Sequence, residues 1–172
     1  ADQKQDALNL GFYNLSTLIN DVFQCFLHQA EKKNIQYDFR CENNELEIVA
    51  DLEKLEIALF NLISNAIKFT PENGRVAVSL LDKGEQIEIL VEDSGIGIPE
   101  DAGDRIFSVF HQYPDKRALS KGGFGIGLFL SKTFVQQHFG DLSYKSQPGK
   151  GTTFTIYFNA VHRVLLDKKR EC

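Results

Sequence analysis

The sequence predicts an α+β domain: a two-layer α/β sandwich whose mixed, mostly antiparallel sheet is covered on one face by helices. Three observations predict it. Apolar periodicity changes along the chain in the order helix, strands, helix, two strands, short helix, helix, two strands. Two strand pairs, 75–81 with 86–92 and 142–146 with 152–158, are joined by short glycine-containing turns, and such neighbours pair antiparallel. With 172 residues, 42% hydrophobic and 25% charged, the composition is that of a globular domain of ordinary size.

The elements follow in order. Residues 1–14 are mostly polar and read as the remnant of a preceding helix or linker. Leu15, Leu18, Ile19, Val22, Phe23, Phe26 and Leu27 recur at helical spacing, with Ser16 as the expected N-cap. Ile35, Tyr37, Phe39 and Cys41 alternate with polar residues as in a strand, and Leu46 to Ala50 continues into a second after a turn at Asn43-Asn44. Asp51 is positioned to cap a helix that runs to Phe69 and is stopped by Pro71. After the first antiparallel pair come a glycine-rich stretch and a short helix near Asp104–Val109. An irregular segment, 111–124, leads to a helix over Ile126–His138, then the second strand pair. The domain is expected to span 15–160, with 161–172 as a charged C-terminal linker.

Charge and composition exclude several functions. A net charge of −5 argues against a nucleic-acid or anionic-membrane surface. No apolar run approaches the length of a membrane span. Three Cys are too few for a disulfide framework, so reduced thiols in a cytoplasmic setting are expected. Cys25 and His28 form half of a metal-binding pattern, but no second pair closes it. The chain has no Met, which suggests a piece of a longer protein.

Three segments carry chemistry. Asn61, Asn65 and Lys68 stand four and three residues apart, on one helix face among Leu62, Ile63, Ala66 and Ile67. An amide oxygen suits Mg²⁺, and an ammonium suits phosphate. Asp93 ends a hydrophobic strand and precedes Gly95 and Gly97, so a carboxylate sits beside backbone that can approach a ligand closely. It can accept a hydrogen bond from an exocyclic amine such as that of adenine. Gly122, Gly123, Gly125 and Gly127 open a helix, where amides and the helix dipole suit polyphosphate. The spacing fits neither a Rossmann fingerprint nor a P-loop, and protein-kinase signatures are missing. Each segment also has a plain structural reading: a solvated helix face, a tight turn, a hinge.

In order and spacing, five segments closely resemble the sensor histidine kinase ATP-binding domain. Asn61 to Thr70 resembles its N box, Asp93 to Gly97 its G1 box, Ile106 to Phe110 its F box. Gly123 to Leu128 resembles its G2 box, and Gly149 to Phe154 its G-x-G-T segment. The resemblance covers 15–158 and implies the Bergerat ATP-binding fold of the GHKL superfamily, with ATP and Mg²⁺ as cofactors. It implies that Asn65 coordinates Mg²⁺, that Asn61 and Lys68 contact phosphate or help hold the metal, and that Asp93 accepts the adenine amine. Gly95 and Gly97 would let the backbone close on the base. Gly123, Gly125 and Gly127 would form the hinge and phosphate cradle of a mobile lid over 111–124. Ile98, Phe107, Phe124, Ile126 and Leu128 would complete the ATP site, and Thr152 would sit near adenine. Lys121 is the lid cation assigned to it, with Lys116 and Arg117 as alternatives.

The resemblance further implies partners: ATP or ADP, a His-bearing dimerisation domain of the same parent, and a response-regulator receiver domain. None of His28, His111, His138 or His162 matches the family's phosphoacceptor motif, so transfer needs that missing domain. The fragment is expected to be monomeric and its parent a homodimer in the cytoplasm, with inner-membrane anchoring left open. Gyrase- and Hsp90-type relatives carry a catalytic Glu where this chain has Asn61, and an amide is not a general base. That favours a kinase with slow intrinsic hydrolysis. A degenerate nucleotide-binding module and an anti-sigma-type Ser/Thr kinase are the alternatives on the same fold. Gly103, where an apolar residue usually sits, is expected to loosen the short helix.

Overall fold

The structure is a computed structural model that describes residues 7–109 and 126–159. The expected lid, 111–124, and linker, 161–172, lie outside the described residues.

The chain begins with strand β1 (Leu10–Asn14), followed by helices α1 (Leu15–Gln24) and α2 (Leu27–Lys32). Leu15, Leu18, Ile19, Val22 and Phe23 form the buried stripe of α1, as their spacing predicts. The cap is Asn14 rather than Ser16: its side chain accepts the Thr17 amide at 2.9 Å. One periodic run becomes two helices because the chain breaks at Phe26. The break seats that ring in the core, 4.7 Å from the ring of Phe60.

Strands β2 (Gln36–Cys41) and β3 (Glu47–Asp51) do not pair with one another. β2 lies parallel to β4 (Arg75–Asp82), and β3 pairs antiparallel with β1. Two expectations are corrected here. Residues 10–14 are not the end of a preceding helix but a strand, and β2 and β3 are not a local pair. The reason is burial. Ile48, Val49 and Ala50 are all buried, so consecutive side chains on both faces of β3 are covered. Its backbone groups therefore need a protein partner, which β1 supplies.

Helix α3 (Leu52–Phe69) begins where Asp51 accepts the Lys54 amide and ends before Pro71. Its stripe of Leu55, Leu59, Leu62, Ile63 and Ala66 is buried in the core. Each leucine and isoleucine of that stripe contributes about 1.5–3 kcal/mol of burial free energy. β4 and β5 (Gln86–Asp93) form the first expected hairpin, and β6 (Asp141–Gln147) and β7 (Gly151–Asn159) the second. The main sheet runs β2-β4-β5-β7-β6, antiparallel except at β2–β4. Val76, Val78, Ile87, Ile89, Ile156 and Phe158 are among its buried positions, which join the helical core.

A 3₁₀ helix spans Glu100–Phe107, and α4 covers Gly127–Gln137. Gly103 kinks the 3₁₀ segment at φ 52°, ψ −142°, a conformation suited to glycine, and its carbonyl accepts the Tyr144 hydroxyl at 2.8 Å. The expected loosening is thus a defined bend tied to β6.

Candidate functional site

The β5–β7 pairing places Asp93 opposite Thr152 at one end of the sheet, where the last turns of α3 and the start of α4 overhang it. An open cleft lies between them. Asn65 from α3, Asp93 and Thr152 supply its polar groups. Phe69, Ile96, Ile98, Leu128 and Phe154 supply apolar walls. This is the usual makeup of a small-molecule site: mostly apolar, with a few convergent polar groups.

Asp93 is the most perturbed carboxyl there. Burial raises its pKa to about 6, even though the Gly95 and Thr152 amides donate to it and favour its charged form. Thr152 is oriented by its neighbours. Ser146 Oγ accepts the Ile98 amide at 2.7 Å and lies 2.9 Å from the Gly151 carbonyl, which takes its proton. The Thr152 hydroxyl must then donate to Ser146 Oγ, 2.8 Å away, and offers only lone pairs elsewhere. Asp93 and Thr152 thus present two acceptors, suited to a ligand that brings hydrogen-bond donors.

The loop after Asp93 is fastened on several sides. Ser94 exchanges two hydrogen bonds with Arg75: its amide donates to the Arg75 carbonyl at 3.0 Å, and its hydroxyl oxygen accepts the Arg75 amide at 2.8 Å. The Gly149 amide donates to Ile96 O at 2.8 Å. The glycines serve this packing. A Cβ on Gly95 would stand 2.6 Å from Phe69 O. Gly97 has φ +75°, and a Cβ there would stand 2.3 Å from Gln147 O. Gly151 (φ +125°) is tighter still, with a Cβ 1.9 Å from Asp93 O. Gly95 and Gly97 are thus held in close approach to the protein's own backbone, and Gly97 also lines the cleft.

The remaining predicted residues divide. Asn61 does not line the cleft; its Nδ2 donates to Gly127 O at 3.1 Å, joining α3 to the first turn of α4. Lys68, on the last turn of α3, holds its Nζ 5.6 Å from the Phe69 ring centroid. Phe107 is buried behind the wall, edge-on to Phe154 with centroids 6.4 Å apart. Ile126 and Gly127 begin α4, and no side chain among the described residues caps it. Lys121, Gly123, Phe124 and Gly125 lie outside the described residues, as do Lys116 and Arg117. Sequence reasoning missed Phe69, Ile96 and Phe154 as walls. Alternation along β7 puts Phe154 on the same face as Thr152, a signal that was available. Ser146 carried no signal, because only the β6–β7 register sets it opposite Thr152.

Comparison with known proteins agrees with this geometry. Residues 50–162 match the family described as histidine kinase-, DNA gyrase B-, and HSP90-like ATPase. The aerobic respiration control sensor protein ArcB of Escherichia coli (strain K12) is 41% identical over 150 residues, covering 86% of this chain and 19% of that protein. The chain thus spans about a fifth of the relative it matches. The catalytic domain of the histidine kinase ThkA superposes with a TM-score of 0.78 at 28% identity, covering 88% of this chain and 98% of that one. ThkA has also been solved in complex with the response regulator protein TrrA. Full-length ShkA in complex with AMPPNP gives a TM-score of 0.75 at 27% identity, covering 88% of this chain and 31% of ShkA. Fold, cleft and sequence converge, and the chain belongs to the histidine kinase branch of this family as a catalytic ATP-binding domain of two-component sensor histidine kinases.

Proposed function

We propose that this domain binds Mg·ATP in the cleft and transfers its γ-phosphoryl group to a histidine on a dimerisation domain of the parent protein. Asp93 carries the reading: a half-buried carboxylate, fixed by two backbone amides, stands at a mostly apolar cleft. Ionised, it accepts the adenine amine. Phe69, Ile96, Ile98 and Phe154 exclude water from the ring faces. Thr152, with its proton committed to Ser146, accepts from the base or from a bridging water.

The phosphates then point toward α3 and α4. The start of α4, which no side chain among the described residues caps, offers amides and a positive dipole end, and Asn65 lines the same cleft. Mg²⁺ bound with phosphates needs only one or two protein oxygens, and the Asn65 amide oxygen is a suitable hard donor. When bound, the metal neutralises charge on the phosphate oxygens. Among the described residues no His, Cys, Asp and Glu group could hold a metal by itself, which fits an ion that enters with the nucleotide. Lys68 adds positive charge at the end of α3. Asn61 positions the first turn of α4 and offers no general base for hydrolysis. Phosphoryl transfer relies mainly on positioning and charge neutralisation, and this inventory supplies both.

The response regulator found with ThkA suggests a receiver-domain partner for the parent protein. No helix among the described residues is long and apolar enough to cross a membrane, and we place the domain in the cytoplasm, where ATP is. Calorimetric titration with a non-hydrolysable ATP analogue, with and without Mg²⁺, tests the reading. Binding that tightens with Mg²⁺ is expected, and phosphate transfer should appear once a His-bearing dimerisation domain is supplied. No binding at millimolar nucleotide would favour a degenerate module.

A further inference from the structure

Helix α4 meets the cleft at one end through Leu128 and carries a buried histidine at the other. His138 caps α4 and is 1% exposed. Its Nδ1 lies 2.6 Å from the Phe134 carbonyl, which can only accept, so Nδ1 holds the proton. The Asp51 amide donates to its Nε2 at 2.9 Å, so Nε2 is bare. Both ring nitrogens are thereby assigned, and the ring is held in one neutral tautomer.

Asp51 is itself a junction. One carboxylate oxygen accepts the Lys54 amide and caps α3; the other accepts the Asn9 amide at 2.9 Å, just before β1. Leu10 is its register partner in the β1–β3 pair. Lys54 reaches across to Gln137 Oε1 at 3.1 Å. Further along α4, the buried Ser131 hydroxyl approaches Ala58 O and Gly127 O, each at 3.0 Å, and Asn61 holds Gly127 O. The incoming chain at Asn9, the cap of α3 and the whole length of α4 are thus joined through Asp51 and His138.

We propose that His138 is a positioning residue for the nucleotide site: it locks the far end of α4 to the Asp51 junction and so couples the chain entering at Asn9 to nucleotide affinity. The role rests on the nucleotide reading of the cleft. Three measurements on the full chain test it. Imidazole ¹⁵N shifts should report Nδ1 protonated and Nε2 bare. A saturating non-hydrolysable ATP analogue should slow hydrogen exchange at the distant Asp51 amide about two- to thirtyfold, the range of typical coupling energies. His138→Asn keeps a donor near Nδ1 but cannot reach Asp51, whereas His138→Gln can place its amide oxygen near Nε2. The Asn variant should weaken analogue binding by a similar two- to thirtyfold and lose the protection, and the Gln variant should restore both.

Wild-type binding with no change at the Asp51 amide would overturn the positioning role while leaving the cleft's function intact. Asn and Gln variants with equal affinities would do the same. An Nε2-protonated ring would overturn the assigned contacts. If the wild type fails to bind the analogue at all, the nucleotide reading falls first, and this role with it. Should the Asn variant fail to fold, the tautomer and the wild-type exchange result decide alone.

Discussion

The two sides of the cleft are built differently. On the Asp93 side, short serine side chains pin a close backbone-to-backbone approach, and glycines at 95, 97 and 151 stand where a Cβ would come within 2.6 Å of a carbonyl oxygen. On the α3–α4 side, side chains span the gap: Asn61 to Gly127, Ser131 to Ala58, Lys54 to Gln137 and Asp51 to His138. Backbone contact leaves no freedom, whereas side-chain bonds can lengthen or exchange partners. The left-handed residue at the end of α4 makes the same point. It is Phe139 (φ 59°), not glycine, and the residue is 79% exposed. The base side is a fixed template, and the helix side is the adjustable one.

The sharpest way to break the comparison is Gly151→Ala. The added methyl would need backbone movement at Asp93, and we expect a loss of about 3 kcal/mol from overpacking and strain. Denaturant unfolding measures it, and a loss below about 1 kcal/mol would mean the template yields.

Asp93 comes next, and it sets function against stability. Its carboxyl titrates near pH 6 in the folded chain, above the ordinary carboxylate value of 3.8. A raised carboxyl pKa means that the nucleotide-free fold loses stability as pH rises from about 4 to above 6. Asp93→Asn should therefore stabilise the nucleotide-free chain at pH 7 by an amount on the order of 1–2 kcal/mol, raise its melting temperature, and flatten that pH dependence. It should also cost about a hundredfold or more in nucleotide affinity, since the charge-assisted bond to the base is lost. In the wild type, affinity should fall about tenfold per pH unit well below 6, as the acceptor is protonated. Calorimetry across pH 5–8 follows both effects.

Asn61→Ala probes the adjustable side. The Ser131 hydroxyl lies 3.0 Å from both Ala58 O and Gly127 O, and its single proton can turn to Gly127 O once Asn61 is gone. The expected cost is about 1 kcal/mol in stability, with a several-fold drop in nucleotide affinity. Unchanged stability with lost transfer would instead make Asn61 a phosphate or metal ligand alone. The smallest effect is expected of Phe139→Gly, which removes the left-handed penalty in open surroundings and should stabilise by about 0.5–1 kcal/mol. Destabilisation would show that the Phe139 ring holds a contact worth more than its strain.

Much of this was legible because it is local. The α3 cap at Asp51, its stop before Pro71 and both hairpins follow from capping chemistry, proline geometry and alternation within a few residues. The ladder of Asn61, Asn65 and Lys68 was visible as a helix face, and Asp93 as an acid before glycines. Other features were not legible, because each depends on residues far apart in the chain. The β1–β3 pair forms because β3 is buried on both faces, and β2 finds β4 rather than its neighbour. Asn61 turned out to brace α4, and Phe107 to back Phe154, since packing decides which way each side chain is used.

The sequence by itself determined the family, the elements and the chemical types in the site, because periodicity, caps and motif spacing are encoded residue by residue. Only the tertiary structure decided how strongly Asp93 is desolvated, which backbone atoms make Gly97 and Gly151 obligatory, and that Asp51 and His138 join the chain's entry to α4. Desolvation and close contact are properties of atoms brought together from distant parts of the chain, and no local pattern records them.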